Sequence, residues 1–129
     1  MIDICLLGTG GTLPLVNRWL TSLMVRYQGH GVLIDCGEGT QIAAQRVGMS
    51  LKPVDKILLT HLHADHVSGL PGLLLTMGNM GREEELSIIG TVGTERVVHA
   101  LRTIAPNLPF DIRVSELETP EETMFFRDC

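Results

Sequence analysis

Hydrophobic and polar positions change period several times along the chain, and each change marks an element. Residues 3–7 (DICLL) are a short apolar run that ends at the turn-rich GTGGTLP, the pattern of a first strand. Residues 20–27 and 31–35 read as two more strands, joined in a hairpin turn around Gly29, His30 and Gly31. From Glu38 to Val47 the spacing becomes helical, and Gly48 suits the C-terminal cap. Residues 54–60 (VDKILLT), an apolar run after Pro53, are the clearest strand. That strand runs directly into HLHADH, read as a loop, and a helix is predicted to start between Ser68 and Pro71 and run through Leu75. GNMGREEE reads as a loop and 86–90 (LSIIG) as a strand. Residues 94–105 predict an amphipathic helix with Val97, Val98, Leu101 and Ile104 inward, stopped by Pro106, and a last strand falls at 111–117. Strands alternating with helices predict an α/β fold, a sheet flanked by helices.

Length and composition add limits. A chain of 129 residues makes one domain, and 44% apolar residues can build a real core. No stretch approaches the roughly 18 uninterrupted apolar residues of a membrane span. The N-terminus carries Asp3 and no basic residue ahead of its apolar run, unlike a secretory signal. The expectation is a soluble, cytoplasmic protein with no membrane partner. Cys5, Cys36 and Cys129 are an odd number, widely spaced, and two lie inside apolar runs, so reduced thiols are expected rather than a disulfide framework. The net charge of −5 is uneven: residues 1–60 hold five basic and four acidic groups, residues 61–129 five basic and eleven acidic. No Lys/Arg stripe appears, so these residues do not form a dedicated nucleic-acid surface.

The chemistry concentrates in Thr60-His61-Leu62-His63-Ala64-Asp65-His66, which holds three of the five histidines and an aspartate. Neutral imidazole and carboxylate are both good Zn²⁺ ligands, and a segment leaving a strand end can aim several at one cavity. His61 and His63 can share one metal if Leu62 faces the other way, and Asp65 and His66 can then serve a second. Asp65 is also the candidate general base. His30, in a turn, and His99, within a helix, are assigned no role.

The pattern resembles the H-x-H-x-D-H signature of the metallo-β-lactamase fold superfamily. Asp35-Cys36-Gly37-Glu38-Gly39-Thr40-Gln41 is similar to the DCGEGTQ of the ribonuclease Z family of tRNA 3′-processing endonucleases, and Gly69-Leu70-Pro71-Gly72-Leu73-Leu74 to its GLPGLL. Leu7-Gly8-Thr9-Gly10-Gly11, followed by Pro14 and Asn17-Arg18, resembles the family's start. The specific motifs span residues 6–75, with weaker similarity beyond. Ala64 stands where the family usually has glycine, and NRWLTS holds extra residues compared with RN-x-TS.

The resemblance implies a four-layered αβ/βα sandwich with metals between two similar halves, of which residues 1–129 supply roughly the N-terminal αβ half as a single incomplete domain. It implies a zinc-dependent phosphodiesterase, an endoribonuclease maturing the 3′ ends of precursor tRNA with metal-activated water, and two zinc ions per complete site (other divalent metals also fit). It implies that Asp35 buttresses the histidine segment from behind, and that the second half adds one histidine per metal and a bridging aspartate. Two ligands per metal fall short of the three protein ligands plus water typical of catalytic zinc. The chain alone is therefore expected to bind Zn²⁺ poorly, to be inactive, and to self-associate, as a homodimer, through an uncovered apolar sheet face. Alternative readings are a metallo-β-lactamase-fold hydrolase acting on another small ester or phosphodiester, and a non-catalytic piece.

Overall fold

A computed structural model describes residues 1–119. Among these residues six strands form one sheet in chain order: β1 (Ile2–Gly8), β2 (Ser22–Tyr27), β3 (His30–Ile34), β4 (Val54–Leu59), β5 (Leu86–Thr91) and β6 (Ile112–Leu117). The β1–β2 and β2–β3 pairs are antiparallel, and the remaining pairs are parallel. The parallel strands are linked by helices: α1 (Thr40–Arg46) between β3 and β4, α2 (Ala64–Val67) and α3 (Leu70–Asn79) between β4 and β5, and α4 (Thr94–Arg102) between β5 and β6.

One sheet face packs on these helices. Met24, Leu33, Ile57, Leu59, Leu86 and Ile88 meet Ala43 and Ala44 of α1, Leu70, Leu73, Leu74 and Met77 of α3, and Val98 of α4 in a single core. The other face carries an apolar cross-strand row, Leu6, Leu23, Ile34, Leu58 and Ile89. At its edge Ile4 and Leu6 are 68% and 67% exposed, and the rest of the row is half-buried. The half-covered sheet expected from the sequence is thus present among the described residues. Among the described residues no helix is long and apolar enough to cross a membrane.

Several boundaries differ from the sequence reading. The β2–β3 turn is Gln28-Gly29, with φ of 47° and 86°, a two-residue turn with both central residues left-handed. His30 therefore belongs to β3, where its Nδ1 lies 2.7 Å from Asp55 Oδ2. α1 starts at Thr40 rather than Glu38 because Gly39 is left-handed (φ 82°) and stands at the N-cap. HLHADH is only partly a loop, since its second half is the helical turn α2. α3 runs past Leu75 to Asn79. Ile104 points outward, 71% exposed, because α4 ends at Arg102 before reaching it. Cys129 lies outside the described residues.

Candidate metal centre

The sheet topology brings every motif to one edge. Strands β3, β4, β5 and β6 run the same way, so segments 35–39, 60–69 and 91–93 all leave their C-terminal ends. The antiparallel β1 and β2 put the long connection 9–21 at the same edge. Open α/β sheets take ligands at this edge because helix N-termini and loops converge there.

At that edge His61 and Leu62 lie between β4 and α2 outside both, His63 is extended (φ −66°, ψ 152°) and Ala64–Val67 turn into α2. Leu62 packs on the core, near enough to Gly93 that a Cβ there would lie 3.2 Å from Leu62 Cδ1. The histidines on either side come together, their ring centroids 4.8 Å apart. One ligand atom each of His61, His63 and Asp65 lie within 4.8 Å of one another. His66 stacks beside them: its ring centroid is 3.7 Å from that of His61, and its Nε2 is 3.8 Å from Asp65 Oδ2. Nitrogen and carboxylate donors converging at this spacing are a borderline donor set that fits zinc. Asp65 Oδ2 accepts the backbone N–H of Thr12 at 3.0 Å. That bond, aided by His66 and His61, holds the Asp65 carboxyl below the usual aspartate pKa and keeps it ionised.

Behind these residues lies a buried support. Asp35, 4% exposed and left-handed at φ 61°, accepts hydrogen bonds from Thr60 N (2.8 Å) and Thr60 Oγ1 (2.7 Å), and its Oδ2 lies 2.9 Å from His66 Nδ1. Main-chain bonds lock the two motifs together: Cys36 N donates to His66 O at 2.8 Å and Gly69 N to Cys36 O at 2.9 Å. Gly37 N donates to Thr21 O at 3.0 Å, which ties in the 9–21 connection. Gln41 lies over Gly72, where a Cβ would come 2.6 Å from its Nε2, so DCGEGTQ and GLPGLL fit together because the second has no side chain there. Cys36 is fully buried in this support, and burial pushes its thiol up to about 12, which makes it inert packing.

The 9–21 connection is part of the site. Besides the Thr12 contact, Gly10 N donates to Trp19 O at 2.8 Å. The Trp19 ring covers Gly39, where any Cβ would collide with it. NRWLTS, the stretch that departs from the family pattern, therefore supplies the cover of the DCGEGTQ turn. Sequence reasoning missed Thr12, whose backbone donor has no residue-type signature, and gave Thr60 no role although it opens the motif. It also missed Glu116, whose Oε1 accepts Gly93 N and Glu95 N at 2.9 Å each and caps α4 beside the site. His99 and His30 stay outside the cluster.

The chain is similar to several known proteins. The family model described as "Anti-Pycsar protein Apyc1" matches residues 2–103. A ribonuclease Z from Agathobacter rectalis is 62% identical over 122 residues, 95% of this chain and 40% of that protein. The human short-form tRNase Z superposes with a TM-score of 0.82 at 34% identity, over 92% of this chain and 46% of the other. A diphosphatase of the PhnP family superposes with a TM-score of 0.71 at 26% identity, over 97% of this chain and 54% of the other. The chain thus spans about two fifths of the length of the curated relatives it matches. The expected fold class and the likeness to ribonuclease Z are both correct.

Proposed function

Since the chain belongs to the family described as Anti-Pycsar protein Apyc1 and matches the N-terminal part of ribonuclease Z proteins, we propose that the complete protein is a zinc-dependent endoribonuclease that matures the 3′ ends of precursor tRNA in the cytoplasm. The observation that carries this reading is the convergence of His61, His63 and Asp65 within 4.8 Å, with His66 alongside, in a chain so similar to ribonuclease Z. His61 and His63 would hold one zinc ion, Asp65 and His66 the second. Bound zinc would supply Lewis-acid chemistry, ionising a water near neutral pH and neutralising phosphate charge.

The residues divide the remaining tasks. Asp65, fixed through Oδ2 by the Thr12 N–H, is the candidate base that takes the proton of the attacking water on a carboxylate oxygen. The same N–H lowers its basicity and keeps it ionised, as a ligand role requires. Leu62 packs beside Gly93 on the core side of the cluster. Cleavage of a precursor tRNA carrying a 3′ trailer tests the reading. The complete protein with zinc should release the trailer, and Asp65→Ala should reduce the rate at least about a hundredfold. Unchanged cleavage by Asp65→Ala would refute the assigned role. The likeness to a diphosphatase supports a second reading, a small phosphodiester or phosphoanhydride as substrate. Hydrolysis of such a compound with precursor tRNA left intact would favour it.

We also read residues 1–129 as one incomplete domain. Its apolar row Leu6, Leu23, Ile34, Leu58 and Ile89, exposed at Leu6 and half-buried beyond it, asks for a second layer, and the shorter span relative to its relatives supports this. The isolated chain should then pair with itself through that face as a dimer. Sedimentation of Ile4→Ser and Leu6→Ser variants should shift towards monomer, while their thermal midpoints move by only a few degrees because both side chains are already exposed. A wild-type chain that is monomeric at high concentration would contradict it.

A further inference from the structure

Thr60 is more than the last residue of its strand's run. Its backbone N–H donates to Asp35 Oδ1 at 2.8 Å, and its hydroxyl oxygen lies 2.7 Å from Asp35 Oδ2 and 3.0 Å from Oδ1. The same oxygen lies 3.3 Å from His66 Nδ1 and 3.4 Å from His61 Nδ1. Four polar atoms therefore surround one hydroxyl.

An inventory of hydrogens resolves their roles. A hydroxyl has one hydrogen to give and two lone pairs to receive. An ionised carboxylate can only accept, and two oxygens 2.7 Å apart with no hydrogen between them repel each other. The Thr60 hydrogen must go to Asp35. Only the lone pairs then remain for the two imidazoles, so each ring must bring its own hydrogen on Nδ1. His66 has the Asp35 carboxylate as a further acceptor at 2.9 Å, whereas for His61 the hydroxyl is the acceptor at hand.

We propose that Thr60 is a positioning residue that fixes His61 and His66 together in the Nδ1–H tautomer, so that both rings keep Nε2 free as the ligand atom. One carboxylate, Asp35, thereby orients a histidine of each proposed metal pair: His66 directly, and His61 through the Thr60 hydroxyl. A ring held by its other nitrogen is the arrangement that makes a histidine a well-aimed metal ligand. The metal half of this inference rests on the zinc reading above, and the tautomer half does not.

The tautomers can be read without metal. Two-bond ¹H–¹⁵N correlation spectra of the zinc-free, ¹⁵N-labelled chain, at a pH where the rings are neutral, should show His61 and His66 predominantly protonated on Nδ1. Thr60→Val keeps the shape and removes the hydroxyl. His61 should then move to the Nε2–H form that free imidazole prefers, while His63, which Thr60 does not touch, stays unchanged. Thr60→Ser should restore the wild-type pattern. His61 predominantly protonated on Nε2 in the wild-type chain would overturn the proposal even if no variant folds, and so would a His61 tautomer unmoved by Thr60→Val. In the complete protein, competition against a chelator should show zinc affinity falling at least about tenfold in Thr60→Val and recovering in Thr60→Ser. Unchanged affinity would overturn the metal half. A protein that obeys all of these predictions yet leaves precursor tRNA uncut would uphold Thr60 and sink the nuclease reading.

Discussion

Replacing Gly69 by alanine should lower the thermal midpoint of the chain by roughly 10–20 °C, which corresponds to about 3 kcal/mol for a domain of this size. The cost is purely steric. Gly69 sits at φ −80°, a conformation any residue adopts, so no backbone preference is lost. A Cβ there, however, would collide with the Gly37 carbonyl oxygen and lie 2.7 Å from Gly37 C and 2.9 Å from Cys36 O. All three are backbone atoms of the DCGEGTQ turn and cannot swing aside as a flexible side chain would. Relief requires α2 and α3 to back away, which stretches the Gly69 N to Cys36 O and Cys36 N to His66 O bonds that hold His66 in place. Thermal unfolding followed by circular dichroism measures the loss, and a Gly69→Ala variant within a degree or two of wild type would show that the two motifs do not pack as described.

Asp35 should separate stability from metal affinity. Asp35→Ala removes a buried acceptor from Thr60 N, Thr60 Oγ1 and His66 at once, and hydrogen bonds to a charged group are worth about 1.5–3 kcal/mol each. A loss of about 3 kcal/mol or more in urea unfolding is expected. Asp35→Asn should be far milder, because asparagine tolerates φ 61° and its carbonyl still accepts from Thr60 N. Its amide would face His66 Nδ1 with a donor instead of an acceptor. Zinc affinity of the complete protein should therefore drop about 10–100-fold although the fold survives. Equal losses of stability in the two variants, with zinc affinity intact in Asp35→Asn, would show that Asp35 is packing alone.

Much of this was legible in the sequence because the information is local. The strand 54–60, the turn at Gly48 and the HLHADH cluster are each specified by residues within a few positions of one another, and the structure has them within a residue or two. What escaped depends on pairs far apart in the chain. Thr12 reaches Asp65 through a peptide N–H 53 residues away, and Glu116 caps a helix from a neighbouring strand. Neither leaves a pattern of residue types. Ile104 fits the helical period of α4 but lies past the point where the helix stops at Arg102, so periodicity alone extended the apolar stripe too far. Gln28 was hidden for another reason: a glutamine at φ 47° is an uncommon turn residue, and the strong signal of Gly29 and Gly31 drew the turn one residue too late.

We propose that His61, His63, Asp65 and His66 hold two zinc ions, one with each pair. Native mass spectrometry of the purified complete protein reads this directly. Two zinc ions are expected in the wild type, one in His63→Ala, one in His66→Ala and none when both substitutions are combined. Two zinc ions retained by the double variant would contradict it.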